Sequence, residues 1–212
     1  MADLIPTVAF IDGLNLYHAI RDLGVPALKW LNVRALVEKF APANQYSLNR
    51  ILYFTAYPTW KPDPYKRHRA YVAALEATGV EVVKGNFKEK PKDCRKCGVS
   101  WVSHEEKETD VNVALALLDL AYAGEYERAI LLTADSDLAP AVRAVLRRFP
   151  KKQIHPLIPP GKQPPGAISQ ATPTKHSKIK TEHLERSLFP ERWVAPDGTE
   201  ILRPVEYRPQ KP

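Results

Sequence analysis

The sequence has little of what would place the protein in several common classes. It contains two cysteines among 212 residues, so a disulfide framework cannot hold the fold together. No apolar run is long enough to span a bilayer, and the N-terminus lacks the basic and apolar regions of a signal peptide. We therefore expect a cytoplasmic protein with no membrane partner.

Basic residues outnumber acidic ones. The 31 Lys and Arg residues against 24 Asp and Glu residues give a formal net charge of +7. A basic surface attracts polyanions such as nucleic acid, although a charge of this size also serves ordinary solubility. Because 44% of the residues are hydrophobic, the chain can bury the core of a globular domain.

Short apolar runs alternate with segments of helical periodicity as far as residue 158. The predicted strands span residues 5–11, 50–57, 80–84, 128–134 and 153–158. The predicted helices span residues 14–23, 31–40, 64–78, 109–123 and 137–148. This alternation predicts an α/β fold in which a mainly parallel five-stranded sheet carries helices on both faces.

The chain changes character after residue 158. Proline and glycine recur over residues 159–166, and a polar helix is predicted over residues 175–188. Asp197-Gly198 between two short apolar alternations indicates a hairpin. We expect residues 1–158 to form the main domain. Residues 159–212 should form an appendage packed on it, or a partly disordered tail.

Four aspartates occur where the predicted sheet should bring them together. Asp12 follows the first strand, Asp135 and Asp137 follow the fourth, and Asp110 opens the helix of residues 109–123. Ligands bind at the carboxyl ends of strands in open α/β sheets. Carboxylates that meet there repel one another, and Mg²⁺ or Mn²⁺ relieves this repulsion by taking oxygen ligands. The pattern predicts a metal-dependent enzyme that acts on phosphates.

Each of these aspartates has a simpler explanation when taken alone. Asp12, Asp110 and Asp137 all lie where a helix begins, and a carboxylate is a favoured cap there. Asn15, one turn after Asp12, is either solvated or holds a water or a phosphate oxygen without adding charge. The joint occurrence of the aspartates at sheet-edge positions is what indicates a site.

Three segments resemble the motifs of the NYN domain family, which belongs to the PIN-like nuclease superfamily. They are Phe10–Leu16, Lys107–Val111 and Leu132–Leu138, in the family's order, within residues 5–158. The resemblance implies a Rossmann-like three-layer α/β/α sandwich of the PIN type. It also implies a ribonuclease that depends on Mg²⁺ or Mn²⁺. The implied metal ligands are Asp12, Asp110, Asp135 and Asp137, with Asn15 beside them in the catalytic set.

In such a site the metal polarises the scissile phosphate and lowers the pKa of a bound water, which attacks in line. The expected activity is cleavage within RNA, either single-stranded or structured. Two other functions stay open. One is a non-catalytic RNA-binding or regulatory module on the same fold. The other is a phosphohydrolase acting on small phosphates, which is disfavoured because Asp-x-Asp follows the fourth strand here and the first strand in haloacid-dehalogenase-type phosphatases.

Three further polar residues are candidates for supporting roles. Asp119 matches an acidic position common in the family, but it lies about two and a half helical turns beyond Asp110. We expect it to support the ligands from outside or to be structural. Thr133 and Ser136 can orient water or phosphate, or their hydroxyls can bond the local backbone instead.

Aromatic and basic residues interleave over residues 57–71, a mixture that binds single-stranded nucleic acid by stacking and by charge. Because this segment follows the second strand, it should flank the acidic edge of the sheet. The candidate RNA contacts are Trp60, Lys61, Lys66, Arg67 and Arg69. Lys107 is a candidate phosphate contact or a solvated surface lysine.

Cys94 and Cys97 form a C-x-x-C pair within residues 86–106, a polar stretch interpreted as an inserted loop. Two thiolates are half of a tetrahedral zinc site. His104 is the nearest further ligand in the sequence and His68 is another, and the second copy of a homodimer could also complete the site. The alternatives are two free thiols or a labile disulfide.

Overall fold

A parallel sheet of six strands forms the centre of the computed structural model, which describes residues 3–209. The strands along the described chain are β1 (Ile5–Asp12), β2 (Tyr46–Thr55), β3 (Glu81–Lys84), β4 (Asn86–Asp93), β5 (Ser100–Lys107), β6 (Arg128–Leu132), β7 (Gln153–Ile158), β8 (Ser177–Lys178), β9 (Arg192–Val194) and β10 (Glu200–Leu202). The helices are α1 (Gly13–Asp22), α2 (Val33–Glu38), α3 (Pro62–Glu76), α4 (Thr109–Tyr122), α5 (Ala139–Arg148), α6 (Gly166–Ala171) and α7 (Thr181–Glu185), with 3₁₀ turns at Pro26–Lys29 and Val205–Tyr207.

The order of strands in the sheet is β3-β2-β1-β6-β7-β8, and all of these strands run parallel. The chain builds outward from β1 in one direction and then returns to add β6 on its other side. The order therefore reverses between β1 and β6. In open α/β sheets the crevice at the carboxyl ends of such a pair is the usual ligand site.

Helices cover both faces of the sheet and complete the three layers. Along β1, Ala9 and Ile11 enter one core, whereas Val8 and Phe10 enter the other, because successive residues of a strand face opposite sides. Helices α1, α2, α3 and α7 pack on the first face, and α4, α5 and α6 pack on the second. The predicted α/β sandwich with a parallel sheet is confirmed.

The predicted number of strands is wrong by one. The sixth strand, β8, has two residues and pairs with Leu157 and Ile158 at the end of β7. A strand of two residues has no periodicity that a sequence pattern could reveal. It also lies within the predicted polar helix of residues 175–188, which is replaced by β8 and the short helix α7.

The inserted segment is a β-hairpin and not a loop. Strands β4 and β5 pair antiparallel along their full length, from Asn86 opposite Lys107 to Asp93 opposite Ser100. Most of the hairpin is exposed on both sides. Neither strand therefore needs the alternation of apolar and polar residues that identifies a half-buried strand, and the sequence resembles a loop.

The described part of the C-terminal extension packs against the domain. The ring of Phe189 lies 5.6 Å from that of Trp30, whose indole N–H donates to the carbonyl oxygen of Pro190 (2.9 Å). The hairpin predicted around Asp197-Gly198 is present as β9 and β10. The division at residue 158 stays a prediction, and residues 210–212 of the predicted extension lie outside the described residues. No helix among residues 3–209 combines the length and apolarity needed to cross a membrane.

Candidate functional site

Asp12 is the last residue of β1 and caps the N-terminus of α1. Its carboxylate accepts a hydrogen bond from the backbone N–H of Asn15 (2.9 Å) and another from the Asn15 side-chain amide (2.6 Å). Gly13 allows α1 to start in close contact with β2, since a Cβ there would lie 2.5 Å from the ring of Tyr53 and 2.6 Å from the carbonyl oxygen of Phe54. Asp12 is thereby fixed at the sheet edge, with 1% of its surface exposed.

Thr133, directly after β6, joins Asp12 to the neighbouring loop. Its hydroxyl donates to the Asp12 carboxylate (3.1 Å) and accepts from the backbone N–H of Asp135 (3.0 Å). Thr133 is buried, so water does not compete for these bonds. Its hydroxyl therefore contacts a candidate metal ligand and bonds the local backbone at the same time.

The loop after β6 holds Asp135 and Asp137 above this edge. One Asp135 oxygen accepts a hydrogen bond from the backbone N–H of Asp137 (2.9 Å), which fixes the turn between them. Asp135 is half-buried, whereas Ser136 and Asp137 are exposed. Asp137 and Ser136 therefore lie where solvent or a ligand can reach them.

Asp110 lies half-buried in the first turn of α4. The turn before it is unusual, because Glu108 has a φ of 78°, an uncommon value for a residue with a side chain. The Glu106 carboxylate fixes this turn by accepting from the Thr109 N–H (2.9 Å) and the Thr109 hydroxyl. Such backbone strain tends to cluster at functional sites. Glu106 was not predicted from the sequence, although an acidic residue just before the start of a helix is a visible signal.

The aspartates are close enough to affect one another's ionisation. Burial and the charges of four neighbouring carboxylates raise the pKa of Asp110 to about 6. Those neighbours are Asp12, Asp135, Glu106 and Asp137. Burial also raises the pKa of Asp12, although its hydrogen bonds favour the ionised form. The structure thus brings the four predicted aspartates into one electrostatic cluster.

This set of donors suits a hard divalent cation. Carboxylate oxygens are the ligands that Mg²⁺ and Mn²⁺ prefer. A bound cation would offset the repulsion that adds to burial in raising the pKa of Asp110. Among residues 3–209, no three carboxylate, imidazole or thiol side chains stand close enough to form a ready-made metal group. Both Asp12 oxygens accept hydrogen bonds. Binding of a cation by the whole set therefore requires some of these side chains to reorient.

Three other candidates lie away from the cluster. Asp119 is exposed further along α4. Lys107 is exposed, with its ammonium group 3.4 Å from a Glu105 oxygen. His68 is a residue of α3, where its Nε2 is 3.1 Å from the Thr55 hydroxyl and burial lowers its pKa to about 4.

The two cysteines lie in the turn at the tip of the β4–β5 hairpin. Hydrogen bonds from the Cys97 thiol and from the backbone N–H groups of Cys97 and Lys96 lower the pKa of the Cys94 thiol. His104 is not at this tip, since its ring stacks on Trp60 at 3.7 Å, near the base of the hairpin. The structure therefore does not bring His104 to the cysteines.

A cleft of about 560 Å³ opens beside Asp12 and includes part of the predicted RNA surface. Trp60, Lys61 and Arg67 line it, whereas Lys66 and Arg69 are exposed on α3 outside its lining.

Several residues of this cleft were not predicted from the sequence, and three of them supply rings or charge to the lining. They are Tyr17 of α1, Lys29 of the first 3₁₀ turn and Tyr207 of the last one. These residues lie far apart in the sequence, and the C-terminal segment must fold back for Tyr207 to reach the others. No local pattern could have grouped them.

The sequence of this chain is similar to a family of domains and to a curated protein. The family model described as the NYN domain matches residues 6–172. A curated relative, the 6-hydroxy-3-succinoylpyridine 3-monooxygenase of Pseudomonas putida, is 25% identical over 181 residues. The alignment covers 85% of this chain and 56% of the relative, so the chain spans little more than half of that protein's length.

A crystal structure of a protein of unknown function from Vibrio parahaemolyticus is also similar. The TM-score is 0.57 at 18% identity, and the match covers 89% of this chain and 99% of that one. At this level of identity the likeness shows the fold alone.

The cluster makes a prediction about stability. Asp110→Asn should raise the free energy of unfolding at pH 7.5 in EDTA by about 1 kcal/mol, after allowance for solvent screening. That change corresponds to a melting temperature roughly 2–4 °C higher. The reason is that the folded state binds the Asp110 proton more tightly than the unfolded chain does, so ionisation costs stability as the pH rises through about 6.

Below pH 3.8, the ordinary value for this carboxyl, the gain should disappear. Thermal unfolding of the purified variants at several pH values measures this difference. Asp119→Asn, on the same helix but exposed, is the matched control and should change stability little at any pH. An equal gain from both variants would show that Asp110 is not under the electrostatic strain described here.

Proposed function

The chain belongs to the NYN domain family, within the PIN-like nuclease superfamily, and we propose that it is a metal-dependent ribonuclease. Membership of the family follows from the match over residues 6–172. Beyond this membership we propose three properties: dependence on Mg²⁺ or Mn²⁺, RNA as the substrate, and cleavage within the strand. The runner-up on the same fold is a non-catalytic RNA-binding module.

One observation carries this proposal. Four aspartates from three separate segments of the chain lie near enough to influence one another's charge where the strand order reverses between β1 and β6. Their repulsion contributes to raising the pKa of Asp110 to about 6. Helix capping does not account for this arrangement, because a cap uses one carboxylate and gains nothing from like-charged neighbours. The residues that would hold the cation are Asp12, Asp110, Asp135 and Asp137.

The chain prepares this site through its own contacts. Asn15 and Thr133 hold the Asp12 carboxylate from two sides. The N-termini of α1 and α4 bring the positive ends of two helix dipoles to the same place, which favours a phosphate there. When bound, a divalent cation supplies a Lewis acid for the phosphate and a water of lowered pKa.

RNA is the polyanion that fits the remaining surface. The net charge of +7 favours association with nucleic acid. Lys66 and Arg69 are exposed on α3, where they can contact phosphates, and Lys107 is exposed at the end of β5. Trp60 lies at the cleft beside Asp12 and offers an aromatic ring to an unpaired base.

A second candidate function is chemistry on a small heteroaromatic compound. It is favoured by the cleft, whose lining combines aromatic rings with cations. The name of the Pseudomonas putida relative specifies a substituted pyridine as the substrate of that protein. We place this candidate second because the cleft does not include the aspartates Asp110, Asp135 and Asp137.

We further propose that the protein acts in the cytoplasm. We also propose that it forms a homodimer in which the tips of two β4–β5 hairpins share one zinc ion. The hydrogen bonds that lower the pKa of Cys94 favour its thiolate, the form that binds zinc. One chain supplies two thiolates, because His104 lies away from the tip. A second copy would supply the other two.

The ribonuclease proposal predicts metal-dependent internal cuts in RNA. End-labelled single-stranded RNA incubated with Mn²⁺ or Mg²⁺ should be cleaved, and EDTA should stop the reaction. The double variant Asp135→Asn/Asp137→Asn should cleave more than about 100-fold more slowly, because it removes two ligand charges. Activity should also fall as the pH drops below about 6, since a proton on Asp110 competes with the metal.

Asp119→Asn serves as the control and should retain wild-type cleavage. RNA that stays intact with every metal, but binds equally to the wild-type protein and the double variant, would replace the ribonuclease proposal with the binding-module alternative. Release of phosphate from a small ester without cleavage of RNA would favour a phosphohydrolase.

The zinc proposal predicts that metal content and mass change together. The wild-type protein should elute as a dimer in light-scattering chromatography and carry about one zinc ion per two chains, the number that four thiolates can hold. Cys94→Ser/Cys97→Ser should be a zinc-free monomer, whereas Ser100→Ala, in the same hairpin, should behave like the wild type. A zinc-loaded monomer, or a dimer of the double variant, would contradict the shared site.

A further inference from the structure

The cleft beside Asp12 is lined by aromatic and basic side chains and differs chemically from the acidic cluster. Its lining begins at Gly13 and Leu14, immediately after Asp12, and extends away from the other aspartates toward α3 and the C-terminal 3₁₀ turn. Its volume of about 560 Å³ is in the range of small-molecule sites. Hydrolysis at the aspartates does not by itself require such a cavity.

Aromatic side chains supply the walls. Trp60 is held in place by the parallel stack with His104 at 3.7 Å and by an edge contact with Phe87 at 4.7 Å. Tyr17 and Tyr207 also line the cleft, and Tyr17 is 41% exposed. Rings fixed in this way bind flat ring systems by stacking.

Lys29 is a cation of the cleft lining that has no carboxylate partner among residues 3–209. The Lys29 ammonium lies 5.6 Å from the centre of the Tyr17 ring and 5.9 Å from that of Tyr207. Burial and the charges of Arg67 and Arg21 lower the pKa of Lys29. Among residues 3–209, Lys29 makes no ion pair within 4.0 Å.

The two arginines of the lining differ from Lys29 in this respect. Arg67 pairs with Glu206 at 2.7 Å, and this pair ties α3 to the C-terminal turn that carries Tyr207. Arg21 pairs with Asp22 at 3.0 Å. Lys29 is therefore a half-buried cation among other cations, and an anion supplied by a ligand would relieve the repulsion.

We propose that this cleft binds a flat heteroaromatic ring that carries an anionic group, with the ring against the aromatic walls and the anion at Lys29. Two sources share this chemistry. A nucleotide joins a base to a phosphate, and a pyridine carboxylate joins a ring to a carboxylate. The proposal does not depend on RNA cleavage, because the aspartates that would bind metal lie outside the lining.

Isothermal titration of the full-length protein in EDTA tests the proposal. The probes are adenosine 5′-monophosphate and pyridine-3-carboxylate, which carry both parts, adenosine, which lacks the anion, and ribose 5-phosphate, which lacks the ring. At least one of the two complete probes should bind. If it is the nucleotide, it should bind roughly tenfold more tightly than adenosine or ribose 5-phosphate, the factor expected for one charge-assisted hydrogen bond. The complete probe that binds more tightly then identifies which of the two ligand classes the cleft accepts, a nucleotide or a pyridine carboxylate.

Three variants assign the contacts. Lys29→Gln should weaken the preferred complete probe roughly tenfold and leave adenosine unchanged. Tyr17→Leu, at an exposed wall position, should weaken the complete probe and adenosine alike. Lys39→Gln, an exposed lysine beyond α2, is the matched control and should leave binding unchanged. Melting curves verify that each variant is folded.

Absence of binding by both complete probes would overturn the proposal. If the nucleotide is the preferred probe, equal affinity for ribose 5-phosphate would also overturn the proposal, because the aromatic walls would then contribute nothing. Full affinity of Lys29→Gln for the preferred probe would show that Lys29 does not contact the anion, which would overturn the proposed binding mode. None of these results bears on RNA cleavage, and the Asp135→Asn/Asp137→Asn variant should bind the probes like the wild type.

Discussion

The hydrogen bond between the Thr133 hydroxyl and the Asp12 carboxylate joins the two halves of the sheet where the strand order reverses. It is buried, and it fixes the end of β1 against the loop that carries Asp135 and Asp137. Together with the pairing of β1 and β6, this bond holds Asp12 beside the loop of Asp135 and Asp137 against the repulsion of their charges. Burial and this repulsion together raise the pKa of Asp110 to about 6. We regard this rise as the cost of a site kept ready for a divalent cation.

Much of this arrangement could be predicted because the signals are local. An apolar run that ends in Asp12-Gly13 marks the end of a strand, and the Asp135-x-Asp137 loop follows another. Parallel strands then bring both ends to one edge. The hairpin and β8 could not be predicted in the same way. The hairpin is exposed on both sides, and β8 has two residues, so neither carries the periodicity from which strands are identified.

The cleft escaped prediction for a different reason. Its aromatic and basic residues come from α1, both 3₁₀ turns, α3 and the hairpin, and only the fold brings them together. The interleaved segment of residues 57–71 indicated part of it, through Trp60, Lys61 and Arg67. Tyr207 completes the lining from the C-terminal extension, held by the pair of Arg67 and Glu206. The proposed metal site and the proposed ring-binding cleft thus lie side by side, with Asp12 and Gly13 between them.

The central claim is that the four aspartates share a divalent cation. Electron paramagnetic resonance of Mn²⁺ titrated into the protein at pH 7.5 tests it most directly, because free and bound Mn²⁺ give different spectra. We predict saturable binding by the wild-type protein and by Asp119→Asn, and its loss in Asp135→Asn/Asp137→Asn. Equal binding by all three proteins, or by none of them, would contradict the account.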